Sequence, residues 1–196
     1  MSLRNNILSY GSVAKFFHWA VAFLIIGMIA VGLIMANMEN SPDRFKLIAL
    51  HKEFGVVVLI LACMRLGWKI LDVSPLFPES MDKISRLGAK LVHSMLYILM
   101  FAMPITGWLM SSAAGFQVSF FGLFLLPNIA SADKEFGHSM AELHEILAWI
   151  LIALITLHVL AALLHHFYYK DNILLRMLPN FKGKSNAENT GTDTGI

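Results

Sequence analysis

HEILAWILIALITLHVLAALLHHFY, residues 144–168, carries no Asp, Glu, Lys or Arg between Glu145 and Lys170. A helix of that length crosses the roughly 30 Å apolar core of a bilayer, and in lipid a helix satisfies its own backbone polar groups. Within the run, His144 and His158 stand fourteen residues apart. At about 1.5 Å and 100° per residue, that interval advances roughly 21 Å and returns to within roughly 40° of its starting direction. Two imidazoles therefore leave one helix face at two depths. Histidine inside a span is rare, and it marks a functional site by default.

The rest of the chain extends this reading. Hydrophobic residues make up 57% and charged residues 14%, with a mean hydropathy of +0.66, too apolar for an ordinary soluble domain of 196 residues. Four runs are long enough to span, at about 16–36, 54–71, 91–110 and 146–168. The expected fold is all-α, an integral-membrane four-helix bundle in a domain covering 1–182, followed by a disordered polar tail over 183–196. The first run exceeds a signal-peptide h-region and lacks a small-residue cleavage site, so it is expected to be retained. Cys63 is the single cysteine, which leaves no disulfide framework and no cysteine metal cluster. Any metal must be held by histidine or carboxylate.

Basic residues orient the bundle. With both termini in the cytoplasm, the inner flanks hold Arg4, Lys15, Arg65, Lys69, Lys83, Arg86, Lys90, Lys170, Arg176, Lys182 and Lys184, and the outer side holds Arg44, Lys46, Lys52 and Lys134. That imbalance follows the positive-inside rule for a multi-pass protein of the bacterial inner membrane. The loop 72–90 is broken by Pro75 and Pro78. The outer connection 111–143 begins with an apolar stretch, 116–127, too short to span and expected to lie in the interface, re-enter or pack.

Fourteen residues measured along each span give His18 and Gly32, His51 and Arg65, His93 and Gly107, His144 and His158. Alternate spans run in opposite directions, so His18, Arg65, His93 and His158 share an inner level. Gly32, His51, Gly107 and His144 share an outer one. A haem at each level explains the arrangement, since its iron takes axial imidazoles from opposite faces and its porphyrin needs an apolar slot. Gly32 and Gly107 would clear the macrocycle, although small residues also serve close helix packing. Arg65 suits a propionate; a snorkelling side chain explains it equally. The outer pair is His51 with His144, and the inner pair is His158 with either His18 or His93.

These residues carry a resemblance. The four-span layout, Phe17-His18-Trp19, His51-Lys52 with Gly55, His144-Glu145, and the ending His165-His166-Phe167-Tyr168 with Lys170-Asp171-Asn172 and Leu174-Leu175-Arg176-Met177-Leu178-Pro179 resemble the bacterial cytochrome b561 family, most nearly its superoxide-oxidising members, over about residues 10–180. The resemblance implies two haem b groups, with His18 and His158 ligating the inner iron and His51 and His144 the outer. It also implies electron transfer from superoxide at the outer face to ubiquinone, making the chain a superoxide:ubiquinone oxidoreductase. Lys52 would help steer the superoxide anion, and His93 and His165, with Arg86 or Lys90, would hold the quinone and relay protons. One alternative keeps the haems but exchanges electrons between the quinone pool and a dehydrogenase or other redox partner protein. Another, a histidine-lined metal or proton transporter, is disfavoured by span centres nearly free of acids. Lipid is an expected partner, and nucleic acid is not.

Overall fold

The computed structural model describes residues 2–78 and 81–179; the expected polar tail lies outside them. The chain forms α1 (Ser12–Ala36), α2 (Pro42–Leu71), α3 (Lys83–Ala113), a hairpin of β1 (Ser119–Phe120) and β2 (Phe124–Leu125), α4 (Lys134–Phe167) and a short α5 (Ile173–Met177). The first four α-helices are each long and apolar enough to cross a membrane. α1 packs on α2, α2 on α3 and α3 on α4.

Three of these helices begin well before the apolar runs that announce them. Hydropathy marks only what faces lipid, whereas a helix starts where its first amides find acceptors. Ser41 caps α2 by accepting from the Arg44 amide, with Pro42 at the first turn. Asp82 accepts from the Ile84 and Ser85 amides, and Asp133 from that of Phe136. His51 and His144 consequently sit inside their helices rather than at the openings.

A narrow core runs through the bundle: Val21 and Ile25 of α1, Val58 and Ala62 of α2, Leu99 and Met100 of α3, and Leu151 of α4. The opposite faces leave large apolar side chains uncovered, Phe23 at 66% and Leu160 at 58% exposure among them. In a membrane protein, lipid covers such faces. The stretch 116–127 is a packing element, with Ser119 paired to Leu125 and Phe120 to Phe124. The three-residue loop 121–123 joins the strands, its turn closed by the Leu123 amide on the Phe120 carbonyl with Phe121 and Gly122 at positive φ of 50° and 72°. Phe121 rests edge-on against Phe54 of α2, with ring centroids 5.3 Å apart.

At the opposite end, three segments knit together. Asn5 donates to Asp72 and to the Val73 carbonyl, and the Leu76 amide donates to the Ile7 carbonyl. Arg176 of α5 donates to the Leu76 carbonyl, while Lys15 and Trp19 of α1 donate to the carbonyls of Leu178 and Met177. The segment before α1, the loop after α2 and the segment around α5 thus meet on one side of the bundle.

Candidate functional site

The helices bring the histidines together at two levels. At the end where those segments meet, the rings of His18 on α1 and His158 on α4 stand 6.2 Å apart, and His93 on α3 approaches His158 to 5.1 Å. Near the hairpin, His51 on α2 and His144 on α4 stand 6.4 Å apart. Two imidazoles facing each other across one metal, each at a bond of about 2 Å, would hold their centroids about 6 Å apart. The His18–His158 and His51–His144 separations fit that requirement, and the His93–His158 separation falls short of it. His93 also turns its Nδ1 to the Ala89 carbonyl at 2.6 Å, within its own helix.

The glycines act on the imidazoles themselves. A Cβ at Gly32 would stand 3.5 Å from His51 Cε1, and one at Gly107 would stand 3.4 Å from His144 Cε1. Each glycine lets an imidazole lie directly on a neighbouring helix backbone. His51 Nδ1 is buried and without a hydrogen-bond partner, an arrangement native interiors avoid unless a further group completes it. His144 Nδ1 lies 3.0 Å from the hydroxyl of Thr106, the residue before Gly107.

Arg65 reaches His18 Nδ1 at 3.0 Å and lies over the Tyr97 ring, 5.4 Å from its centroid. Lys69 approaches the same ring at 4.2 Å. This corner is therefore cationic, with Tyr10 beside it. Burial pushes the Tyr10 phenol up, Tyr97 adds to that, and Arg65 and Arg176 oppose it.

His165 and His93 have different partners. His165 Nδ1 meets Asp171 Oδ2 at 2.6 Å, with both side chains mostly buried, and its ring lies 5.1 Å from that of Tyr169. Lys170, at φ 54°, turns the chain so that Asp171 comes back under α4. Arg86 donates to the Met81 and Pro78 carbonyls and thereby holds the loop before α3. At the other end, Lys52 lies over the Phe116 ring at 5.5 Å and lines a cleft of about 400 Å³ with Glu53, Gln117 and Ser119.

Sequence reading missed Thr106, Tyr97 and Asp171. Two of these had a usable signal: Thr106 adjoins a glycine already placed at a histidine level, and Tyr97 lies four residues beyond His93 on the same helix face. Asp171 had none, because its approach to His165 depends on a left-handed residue between two helices.

The donor set suits haem. It consists of facing imidazole pairs in apolar surroundings with an arginine at one end. The family described as prokaryotic cytochrome b561 matches residues 9–180. The chain is 36% identical over 190 residues to cytochrome b561 homolog 2 of Escherichia coli K12, covering 96% of this chain and 98% of the relative. It is 32% identical over 168 residues to the probable superoxide oxidase CybB of Yersinia pestis, covering 85% and 93%. With cytochrome b561 homolog 1 of Escherichia coli K12 it shares 31% identity over 168 residues, covering 85% and 95%.

Proposed function

This chain belongs to the prokaryotic cytochrome b561 family, a family of membrane b-type cytochromes that transfer electrons, and from that premise we propose that it moves electrons from superoxide at the outer face to ubiquinone through two haem b groups. The observation that carries the two-haem reading is the pair of imidazole separations, 6.2 Å and 6.4 Å, at two levels of α4. His18 and His158 hold the inner group, and His51 and His144 the outer. Haem held in this way supplies one-electron transfer across the bilayer. Both termini lie on the cytoplasmic side of the bacterial inner membrane, an orientation supported by the excess of basic residues in those flanks.

The protein's own groups bind, orient and neutralise. A guanidinium only donates, so the contact with Arg65 makes His18 Nδ1 an acceptor. Ligation through Nε2 instead needs the hydrogen on Nδ1. Arg65 and the iron therefore make incompatible demands on His18, and ligation frees Arg65 to meet a propionate. Gly32 and Gly107 keep the outer imidazoles close to their neighbouring helices. Lys52 contributes positive potential at the outer cleft, which raises the encounter rate of a small anion.

Two superoxide anions each give up one electron and leave as dioxygen, and one quinone takes up those two electrons with two protons. His165, one helical stretch inward of His158, is the group best placed to hand protons to a quinone carbonyl, with Asp171 fixing its ring. His93 lies beside His158, with ring centroids 5.1 Å apart. The superoxide assignment draws its support from the likeness to the probable superoxide oxidase of Yersinia pestis. Family membership favours electron transfer over the transporter reading. Exchange with a redox partner protein is the second reading, supported by the hairpin tip, where Leu123 is 77% exposed.

The test is stopped-flow spectroscopy of detergent-purified, haem-replete protein. Rapid haem reduction by superoxide, followed by reoxidation with added ubiquinone, is expected. No reduction by superoxide with fast reduction by quinol or a dehydrogenase would move the assignment to the second reading.

A further inference from the structure

Thr106 is buried in α3, one residue after Ile105 and one before Gly107, and its hydroxyl lies 2.9 Å from both the Ala102 and Met103 carbonyls. A carbonyl oxygen can only accept, and a helical threonine gives its single hydroxyl hydrogen to such carbonyls. The lone pairs of Oγ1 then face His144 Nδ1 at 3.0 Å. With the hydroxyl hydrogen placed on the carbonyls, Nδ1 carries the ring hydrogen and donates it, and the Met103 carbonyl, which also hydrogen-bonds His144, shares in accepting it. His144 is thereby held in the tautomer whose Nε2 has a free lone pair. Gly107 lies against the same ring, where a Cβ would stand 3.7 Å from Nδ1, in ordinary contact.

The other proposed ligands have different surroundings. His51 Nδ1 has no partner, and His18 Nδ1 faces a donor, Arg65, which favours the opposite tautomer. Resting on the two-haem reading above, we infer that Thr106 is a positioning residue for the outer haem: its hydroxyl accepts from His144 Nδ1–H, fixes the ligating tautomer and sets the potential of that haem. An acceptor on the distal nitrogen raises the basicity of a ligating imidazole. A more basic ligand stabilises the ferric state and lowers the potential of the outer haem relative to the same site without the hydroxyl.

The test is a spectroelectrochemical titration of full-length Thr106→Val and Thr106→Ser proteins, each with its haem-to-chain ratio measured. Valine keeps the shape and removes the acceptor; serine keeps the acceptor and removes a methyl. The expected result is an upward shift of the outer-haem midpoint in T106V, an unmoved inner haem, and the parental value in T106S. Loss of the outer haem alone in T106V, with T106S fully loaded, supports the same role. An unchanged outer midpoint in T106V, or T106S behaving like T106V, overturns it. The His144→Ala protein separates this failure from failure of the two-haem reading, because retention of both haems there would remove the premise itself.

Discussion

His158 has two imidazole neighbours, at 6.2 Å and 5.1 Å, and the proposed haem ligation gives them different work. His18 stands at a ligand's distance, and His93 packs against the ring edge-on. Replacing His158 by alanine is expected to remove one spectral component and bring the haem-to-chain ratio from about two to about one. His51→Ala and His144→Ala should both remove the other component, and loss of a single shared component in all three proteins would contradict the pairing. Gly107 offers a graded probe. Its added Cβ makes ordinary contact with His144, so Gly107→Ala should keep the outer haem, whereas the branched side chain of Gly107→Val should displace the imidazole and bleach that component. Arg65→Ala should weaken retention of the inner haem by about 1.5–3 kcal/mol, the usual worth of a hydrogen bond to a charged group, read as haem loss during dilution. Both histidine levels were legible in the sequence because helical rise converts spacing into depth. Spacing left His18 and His93 open, because both lie at one depth; the resemblance favoured His18, and the proposed choice draws support from the lateral packing of the two rings on His158.

Among the elements, α3 has the most explicit start. Asp82 accepts from the Ser85 hydroxyl and from the Ser85 and Ile84 amides, and the Ser85 hydroxyl bond leads in holding its carboxyl below the usual carboxylate range. A carboxyl whose folded-state pKa is depressed stabilises the fold above its ordinary pKa and loses that contribution as pH falls through the lowered value. Amide hydrogen exchange at Ile84 and Ser85 should accordingly quicken below the ordinary aspartate range of about pH 3.9. Asp82→Asn should keep the cap and remove this acid sensitivity; Asp82→Ala should exchange quickly at every pH. Four apolar runs sufficed to count the long helices, since lipid demands continuous hydropathy. Their true starts at Pro42, Lys83 and Lys134 needed the cap residues before them. The hairpin escaped sequence reading because Phe121 occupies a left-handed position usually taken by glycine or asparagine, leaving only Gly122 as a signal.

For the whole molecule, charge sorts to the surfaces and cofactor ligands to the interior. Lys46 at the start of α2 already pairs with Asp43 at 3.1 Å, and Arg44 is engaged by the Met35 carbonyl and Asn40. Lys52, held over Phe116 in the outer cleft, is the cation nearest in sequence to an outer ligand. The rate of reduction by superoxide should therefore fall as ionic strength rises, and Lys52→Gln should lower it roughly 3- to 10-fold at low salt while leaving the haem spectrum intact. A rate independent of both salt and Lys52 would exclude steering from this cleft. α4 provides one ligand to each proposed iron, and its continuous hydrogen-bonded backbone lies between them. The gap between redox centres is then metered by peptide geometry, as a ruler is by its divisions, and is insulated from bilayer thickness and from slippage between helices. Inserting one alanine after Leu151 would advance His158 by about 1.5 Å and rotate it by about 100° relative to His144, putting one electron station out of phase while the other keeps its seat.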